Sequence, residues 1–273
     1  MNRRFFENKV MIITGASSGI GLASAELFAS LGARLVLAAR SAEKLQEIAE
    51  KLSSRTETMW VRTDVSSEED CRNLIEKAVE RFGRIDILVN NAGLSMRAMF
   101  RDVDLSVIKT LMDVNFWGTV YCTKYALPWL LKSRGSVVGV ISIAGFAGLP
   151  GRTGYSSSKY AIRGFLDTLR IEHLYDGLHV MVFAPGFTAS NVRNAALTAD
   201  GSAQGTTPRD EGRMMTAEKV ARYLAKGLAR RKREMVLTPL GWLTVLVHKF
   251  WPWLTDKVEF SYMAKEPDSP FHK

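Results

Sequence analysis

The 273-residue chain has two distant cysteines, Cys71 and Cys122, and four scattered histidines, which argues against a disulfide scaffold and leaves no metal-ligand spacing. Lys plus Arg number 37 against 28 Asp plus Glu, a net charge of +9; this suits an anionic cofactor or a membrane surface, and no helix-turn-helix, zinc or RNA-binding motif supports a nucleic acid. Eight mostly polar residues precede the first apolar run, too few for a signal peptide or a spanning helix, so a reducing, cytoplasmic setting is expected.

Val10–Ile13 is rich in β-branched residues and reads as a buried strand. Thr14-Gly15-Ala16-Ser17-Ser18-Gly19-Ile20-Gly21 follows, and Ile20–Leu31 has its apolar residues at helical spacing. Strand, glycine-rich turn and helix are the setting a dinucleotide fingerprint needs. Gly15 permits a tight turn, and Gly19 and Gly21 let backbone approach a pyrophosphate. Dipole and free N–H groups favour an anion at that helix N-terminus. Arg34–Ala39 is the second strand. An acidic residue at its end would bond the adenosine ribose of NAD. Here Ala39 is followed by Arg40 and Ser41, a guanidinium and a hydroxyl suited to a 2′-phosphate, so NADP(H) is expected over NAD(H).

Ser41–Leu52 reads as a helix, and Glu57–Thr63 as a strand ending at Asp64-Val65. Ser66–Phe82 is a helix with an acidic first turn. Ile85–Val89 is the fourth strand, closed by Asn90-Asn91-Ala92-Gly93. Ser106–Ser133 is a long helical region in which Asn115 ends one helical pattern and Pro128 is expected to cause a break. Ser136–Ile141 is the fifth strand and delivers Ser142 at its carboxyl end. Gly151–Leu174 is a helix, and Leu178–Phe183 a strand running into Ala184-Pro185-Gly186-Phe187-Thr188. Residues 189–215 are polar and irregular; a helix (Thr216–Arg230) and a seventh strand (Glu234–Thr238) follow. Strands alternating with helices imply an α/β fold, a doubly wound parallel sheet. Ligands of such sheets bind beyond the carboxyl strand ends. Gly15, Arg40, Asp64, Asn91, Ser142 and Pro185 are all expected there.

On the helix Gly151–Leu174, Tyr155 and Lys159 are four residues apart and share a face. A fixed ammonium beside a phenol favours phenolate, which would make Tyr155 a usable general acid near neutral pH.

With Thr14–Gly21, Asn90–Gly93, Asn115, Ser142 and Tyr155/Lys159 in this order, the chain resembles the short-chain dehydrogenase/reductase family from about Lys9 to Thr188. The resemblance implies a single Rossmann-type catalytic domain of about seven strands over residues 1–238, flanked by helices on both faces. It implies that Tyr155 donates a proton to a substrate carbonyl oxygen and that Ser142 hydrogen-bonds that oxygen. Lys159 would tune Tyr155 and hold the nicotinamide ribose, and the backbone of Asn115 would hold a relay water. Gly15, Ser17, Ser18, Gly19, Ile20 and Gly21 would hold the pyrophosphate side, with Arg40 and Ser41 at the 2′-phosphate. Asp64 and Val65 would contact the adenine, Asn91, Ala92 and Gly93 would line the cofactor, and Pro185, Gly186 and Thr188 would lie beside the nicotinamide. The expected activity is carbonyl reduction or alcohol oxidation on a small-molecule substrate. The rival readings are the same chemistry with NAD(H), a non-catalytic dinucleotide sensor, and a membrane-surface protein on the same fold. A homodimer or homotetramer built on the helices near 106–133 and 151–174 is also implied.

A substrate loop is expected over about 187–215, and Met96, Met99, Phe100, Phe146, Leu149, Phe187, Met214 and Met215 would form an apolar pocket. That favours a lipophilic ketone of the ketosphinganine, steroid or acyl type. Residues 239–273 form an apolar extension in which Leu240–Leu254 holds three of the six tryptophans. It is too short to span a bilayer. With Arg230-Arg231-Lys232-Arg233 just before it, a peripheral contact with the inner membrane surface is expected, the alternative being packing on its own fold.

Overall fold

A computed structural model describes residues 3–188, 194–205, 212, 214–265 and 269. Seven parallel strands form one sheet in the order β3-β2-β1-β4-β5-β6-β7. They are β1 (Val10–Thr14), β2 (Arg34–Ala39), β3 (Thr58–Arg62), β4 (Ile87–Asn90), β5 (Ser136–Val140), β6 (His179–Ala184) and β7 (Glu234–Val236). Every residue of β1, β4, β5 and β6 is buried, which is why these strands read as apolar runs without alternation.

Alternate residues of β1 feed two cores. Met11 and Ile13 pack with Phe28 of α2 (Gly19–Ser30), Leu45 of α3 (Ala42–Ser53) and Leu224 of α8 (Ala217–Ala229), while Phe6 of the short α1 (Arg3–Phe6) closes that layer. Val10 and Ile12 pack with Leu74 of α4 (Glu68–Phe82), Leu130 of α6 (Gly118–Ser133) and Leu166 of α7 (Thr153–Glu172). The doubly wound sheet expected from the sequence is present, with helices on both faces.

The region 106–133 departs from expectation. α5 (Leu105–Leu111) passes into a π-helical turn, Met112–Trp117, and then into α6. The irregularity therefore falls at Asn115, and α6 runs through Pro128 without a break. Pro128 cannot donate to the carbonyl of Lys124, but both residues lie on the exposed face, where water can bond that oxygen.

The C-terminal segment forms a helical hairpin, α9 (Pro239–Phe250) and α10 (Pro252–Ala264). α9 starts from Thr238, whose φ of 75° is unusual for a β-branched residue. Its hydroxyl accepts the N–H of Gly241 at 3.0 Å. Gly241 lies so close to Ile143 that an added Cβ would sit 2.6 Å from its Cδ1, so the hairpin is seated beside Ser142. Trp242, Leu243, Phe250, Trp251, Trp253 and Phe260 nevertheless remain exposed. The basic run Arg230–Arg233 does not accompany this apolar surface. It precedes β7 at the amino edge of the sheet, where Arg231 Nη2 donates to the Gly177 carbonyl at 2.6 Å. The hairpin leaves from the carboxyl edge, so the expected pairing of that basic run with the tail does not hold.

Candidate active site

The strand order reverses direction between β1 and β4, and the loops that follow these strands form the centre of the site. Thr14 and Asn91 hold them together. Thr14 Oγ1 accepts the N–H groups of Asn91 and Ala92, each at 3.0 Å, and Asn91 Nδ2 donates to the carbonyls of Thr14 at 2.9 Å and Gly15 at 3.3 Å. Gly15 has φ of 65° and is needed for the turn. A Cβ on Gly21 would sit 2.1 Å from the Gly15 carbonyl, so only glycine lets the loop fold back on its helix. Ser18 caps α2 in an extended conformation without a side-chain capping bond. The first-turn N–H groups at Gly19, Ile20 and Gly21 thus have no intrahelical acceptor, with Ser17 half-buried beside them. This cradle fits the pyrophosphate of a dinucleotide.

Arg40 is exposed immediately after β2. Burial tends to raise the Asp64 pKa, but bonds from the Ser66 N–H (3.0 Å) and hydroxyl (2.7 Å), with the charges of Arg40 and Arg62, hold it below the usual carboxylate range. Ser41 points its hydroxyl at Glu43 Oε2, 3.2 Å away, so it is already engaged. Val65 is buried against Gly118, where a Cβ would come within 2.8 Å of its own. Arg40 also lines a cleft of about 360 Å³ with Leu94, Ser106, Thr110 and Leu197. Ser106 and Thr110 were not singled out from the sequence; hydroxyls on an ordinary helix carry no local signal.

α7 brings Tyr155 and Lys159 against the end of β5. Ser142, extended just after that strand, is hydrogen-bonded to Tyr155. Lys159 is buried; its Nζ donates to the Val140 carbonyl at 3.0 Å and lies 5.7 Å from the Tyr155 ring centre. Burial lowers the Lys159 pKa to about 8. Burial also raises the Tyr155 pKa, opposed by the Ser142 hydrogen bond and the charge of Arg152. The lowering expected from Lys159 is thus outweighed by desolvation, and the nearby permanent cation is Arg152, which sequence reasoning overlooked. A single arginine three residues before a tyrosine is unremarkable until the helix start is seen to be buried.

Asn115 is fully buried by the π-helical turn. Its Oδ1 accepts the Leu94 N–H at 2.7 Å, and its Nδ2 donates to the Leu94 carbonyl at 3.0 Å and to Ser158 Oγ at 2.9 Å. Its own carbonyl accepts from Thr119 Oγ1 at 2.8 Å. A Cβ on Gly93 would lie 3.1 Å from Asn115 Oδ1 and 3.3 Å from Lys159 Nζ, so all three share one corner.

Beyond β6, buried Pro185 leads to Gly186, which abuts Thr238, and Thr188 Oγ1 donates to the Gly186 carbonyl at 3.0 Å. Of the loop expected over about 187–215, residues 189–193, 206–211 and 213 lie outside the described residues. Residues 194–205 are docked on the stretch after β4: Leu197 N donates to Ser95 O at 2.9 Å, and Arg97 N to Leu197 O at 2.8 Å. Leu94, Tyr155, Leu197 and Ala199 pack on a cluster that includes Met96, Val107 and Leu111. Met96 and Phe146 are core residues, not pocket walls, and Phe100 faces outward. Phe187 instead meets Tyr262 of α10, ring centres 6.4 Å apart.

Residues 9–200 match the short chain dehydrogenase family. Over 269 residues the chain is 33% identical to dehydrogenase/reductase SDR family member 7B of Danio rerio, spanning 95% of this chain and 87% of that one. It is 44% identical over 187 residues to 11-beta-hydroxysteroid dehydrogenase A of Sesamum indicum, spanning 67% of this chain and 53% of that one. Among solved structures, an alcohol dehydrogenase from Thermococcus sibiricus complexed with 5-hydroxy-NADP superposes with a TM-score of 0.76 at 27% identity, covering 85% of this chain and 96% of that one. A short chain dehydrogenase/reductase from Burkholderia phymatum in complex with NAD gives 0.82 at 25% identity, covering 91% and 95%.

Proposed function

Because the chain belongs to the short-chain dehydrogenase/reductase family, whose fold binds a nicotinamide dinucleotide, we propose that it is an NADP(H)-dependent oxidoreductase acting on a lipophilic ketone or the matching secondary alcohol. The observation that carries this reading is the meeting of Ser142, Tyr155 and Lys159 where β5 faces α7. Residues 1–238 would be the catalytic domain and residues 239–273 an extension.

Gly15, Ser17, Ser18, Gly19, Ile20 and Gly21 would hold the pyrophosphate, Arg40 and Ser41 the 2′-phosphate, and Asp64 and Val65 the adenine. Asn91, Ala92 and Gly93 would line the middle, with Pro185, Gly186 and Thr188 beside the nicotinamide. Bound there, a nicotinamide dinucleotide supplies or accepts the hydride. In reduction, Tyr155 gives its hydroxyl proton to the carbonyl oxygen as negative charge builds on it, and Ser142 hydrogen-bonds the same oxygen. Lys159, buried and held by Val140, supplies a positive charge that favours the resulting phenolate. Thr119 takes one lone pair of the Asn115 carbonyl, and the other is available to a relay water.

The two solved relatives are complexed with different cofactors, so the NADP(H) assignment rests on Arg40 after a strand that ends without an acidic residue. The apolar cluster against Tyr155 and the hydroxysteroid dehydrogenase names among the relatives support a lipophilic substrate. A dimer or tetramer and a peripheral membrane contact through the hairpin complete the reading.

The test is NADPH consumption over ketones of graded chain length, repeated with NADH and with Tyr155→Phe. Turnover that is greatest with NADPH and a long-chain ketone, and absent in the variant while cofactor still binds, supports the reading. Wild-type turnover by Tyr155→Phe overturns it.

A further inference from the structure

We propose that Arg152 is a positioning residue whose permanent charge, anchored under the loop after β4, biases Tyr155 toward phenolate. This rests on Tyr155 being the proton donor proposed above. Arg152 stands at the N-terminal boundary of α7, three residues before Tyr155 and on the same side of the helix. It is only 7% exposed. Its guanidinium is held in place, with Nη1 donating to the Met96 carbonyl at 2.6 Å and to Ser95 Oγ at 3.1 Å. The backbone beneath it is fixed as well. Arg152 N donates to Leu149 O at 3.2 Å, and Ala98 N donates to Gly151 O at 3.0 Å. A buried cation is costly unless its donors are satisfied, and these contacts place it beside Tyr155.

The other groups facing Tyr155 act differently. From the stretch 94–111 the phenol packs on an apolar cluster that includes Met96, Val107 and Leu111; that stretch also carries half-buried Arg97 and exposed Lys109, the latter paired with Asp113 at 2.6 Å. Ser142, from beyond β5, is neutral. Lys159, on the same helix, directs its Nζ to Val140 and loses its charge in the alkaline range where a secondary alcohol would be oxidised. A guanidinium is not deprotonated in proteins. Arg152 therefore keeps the phenolate favourable after Lys159 has become neutral, which Lys159 alone could not do.

The experiment is a spectrophotometric titration of tyrosinate on the full chain, with Tyr155 isolated as the difference between each protein and the same protein carrying Tyr155→Phe. Arg152→Gln keeps an amide able to donate to Ser95 and Met96 but removes the charge, and should move the Tyr155 transition upward by about one pH unit. Arg152→Lys should leave it near the wild-type value. Ser95→Asp sets a carboxylate against the guanidinium and should also move it upward, which keeps the test open if Arg152→Gln does not fold. Superimposable Tyr155 transitions in wild type and either charge-cancelling variant overturn the proposal. That result would leave the role of Tyr155 itself untouched, because the latter is judged separately by the turnover of Tyr155→Phe.

Discussion

Lys159 Nζ is bonded to the Val140 carbonyl at 3.0 Å, so the ammonium of the catalytic helix is tied to the last residue of β5. The bond fixes the height of α7 over the sheet edge and with it the place of Tyr155 beside Ser142. It also keeps a lysine in a site where burial lowers its pKa from 10.5 to about 8.

The stability of the protein should therefore depend on Lys159 at alkaline pH. Between about pH 8 and 10.5 the unfolded chain still carries a proton that the folded chain has released. This group alone makes folding more favourable as pH rises through that window. Tyr155, whose pKa is raised above 10, opposes it from about pH 10 upward. Lys159→Met should flatten the rise in denaturant midpoint between pH 8 and 10. An unchanged slope would place the titrating group elsewhere.

On the acid side the corresponding residue is His179 at the start of β6. Its Nε2 donates to the Lys232 carbonyl at 2.9 Å, and its Nδ1 accepts from Ser136 Oγ at 3.1 Å. Burial lowers its pKa from 6.5 to about 4. As pH falls through this interval the unfolded chain takes up a proton that the folded chain refuses, so stability is lost, by at most about 3 kcal/mol. His179→Gln should show a shallower loss of Tm from pH 6.5 to 4, at the cost of lower stability at pH 7.

Arg40 governs cofactor choice if the proposed function holds. Removing one charge-assisted phosphate contact costs about 1.5–3 kcal/mol, which corresponds to roughly tenfold to a hundredfold in affinity. Titration of Arg40→Ala should show that loss for NADPH and almost none for NADH. Equal wild-type affinities for the two cofactors would contradict the assignment.

The hairpin α9–α10 should dock on lipid through its tryptophans and phenylalanines. The basic run Arg230–Arg233 sits at the far edge of the sheet, so attachment should depend little on anionic lipid or salt. In vesicle flotation the wild type should rise with zwitterionic liposomes, whereas Trp242→Ser with Trp253→Ser should stay in the soluble fraction. If neither protein floats, the exposed face serves another partner.

Order along the chain determined the strands, the glycine-rich turn and the places of Arg40, Ser142, Tyr155 and Lys159. These are legible because a buried parallel strand must be an apolar run, and because loops after parallel strands gather at one edge. Three matters were decided only in three dimensions. Asn115 reads as the end of a helical pattern but sits inside a π-helical turn, since backbone register depends on the contact with Leu94. The charge beside Tyr155 comes from Arg152 as well as Lys159, because burial and anchoring determine how strongly a charge acts, and neither is local. Arg230–Arg233 and the apolar hairpin are neighbours in sequence, yet β7 carries the chain across the sheet between them, and a single strand is enough to set the two at opposite ends of the protein.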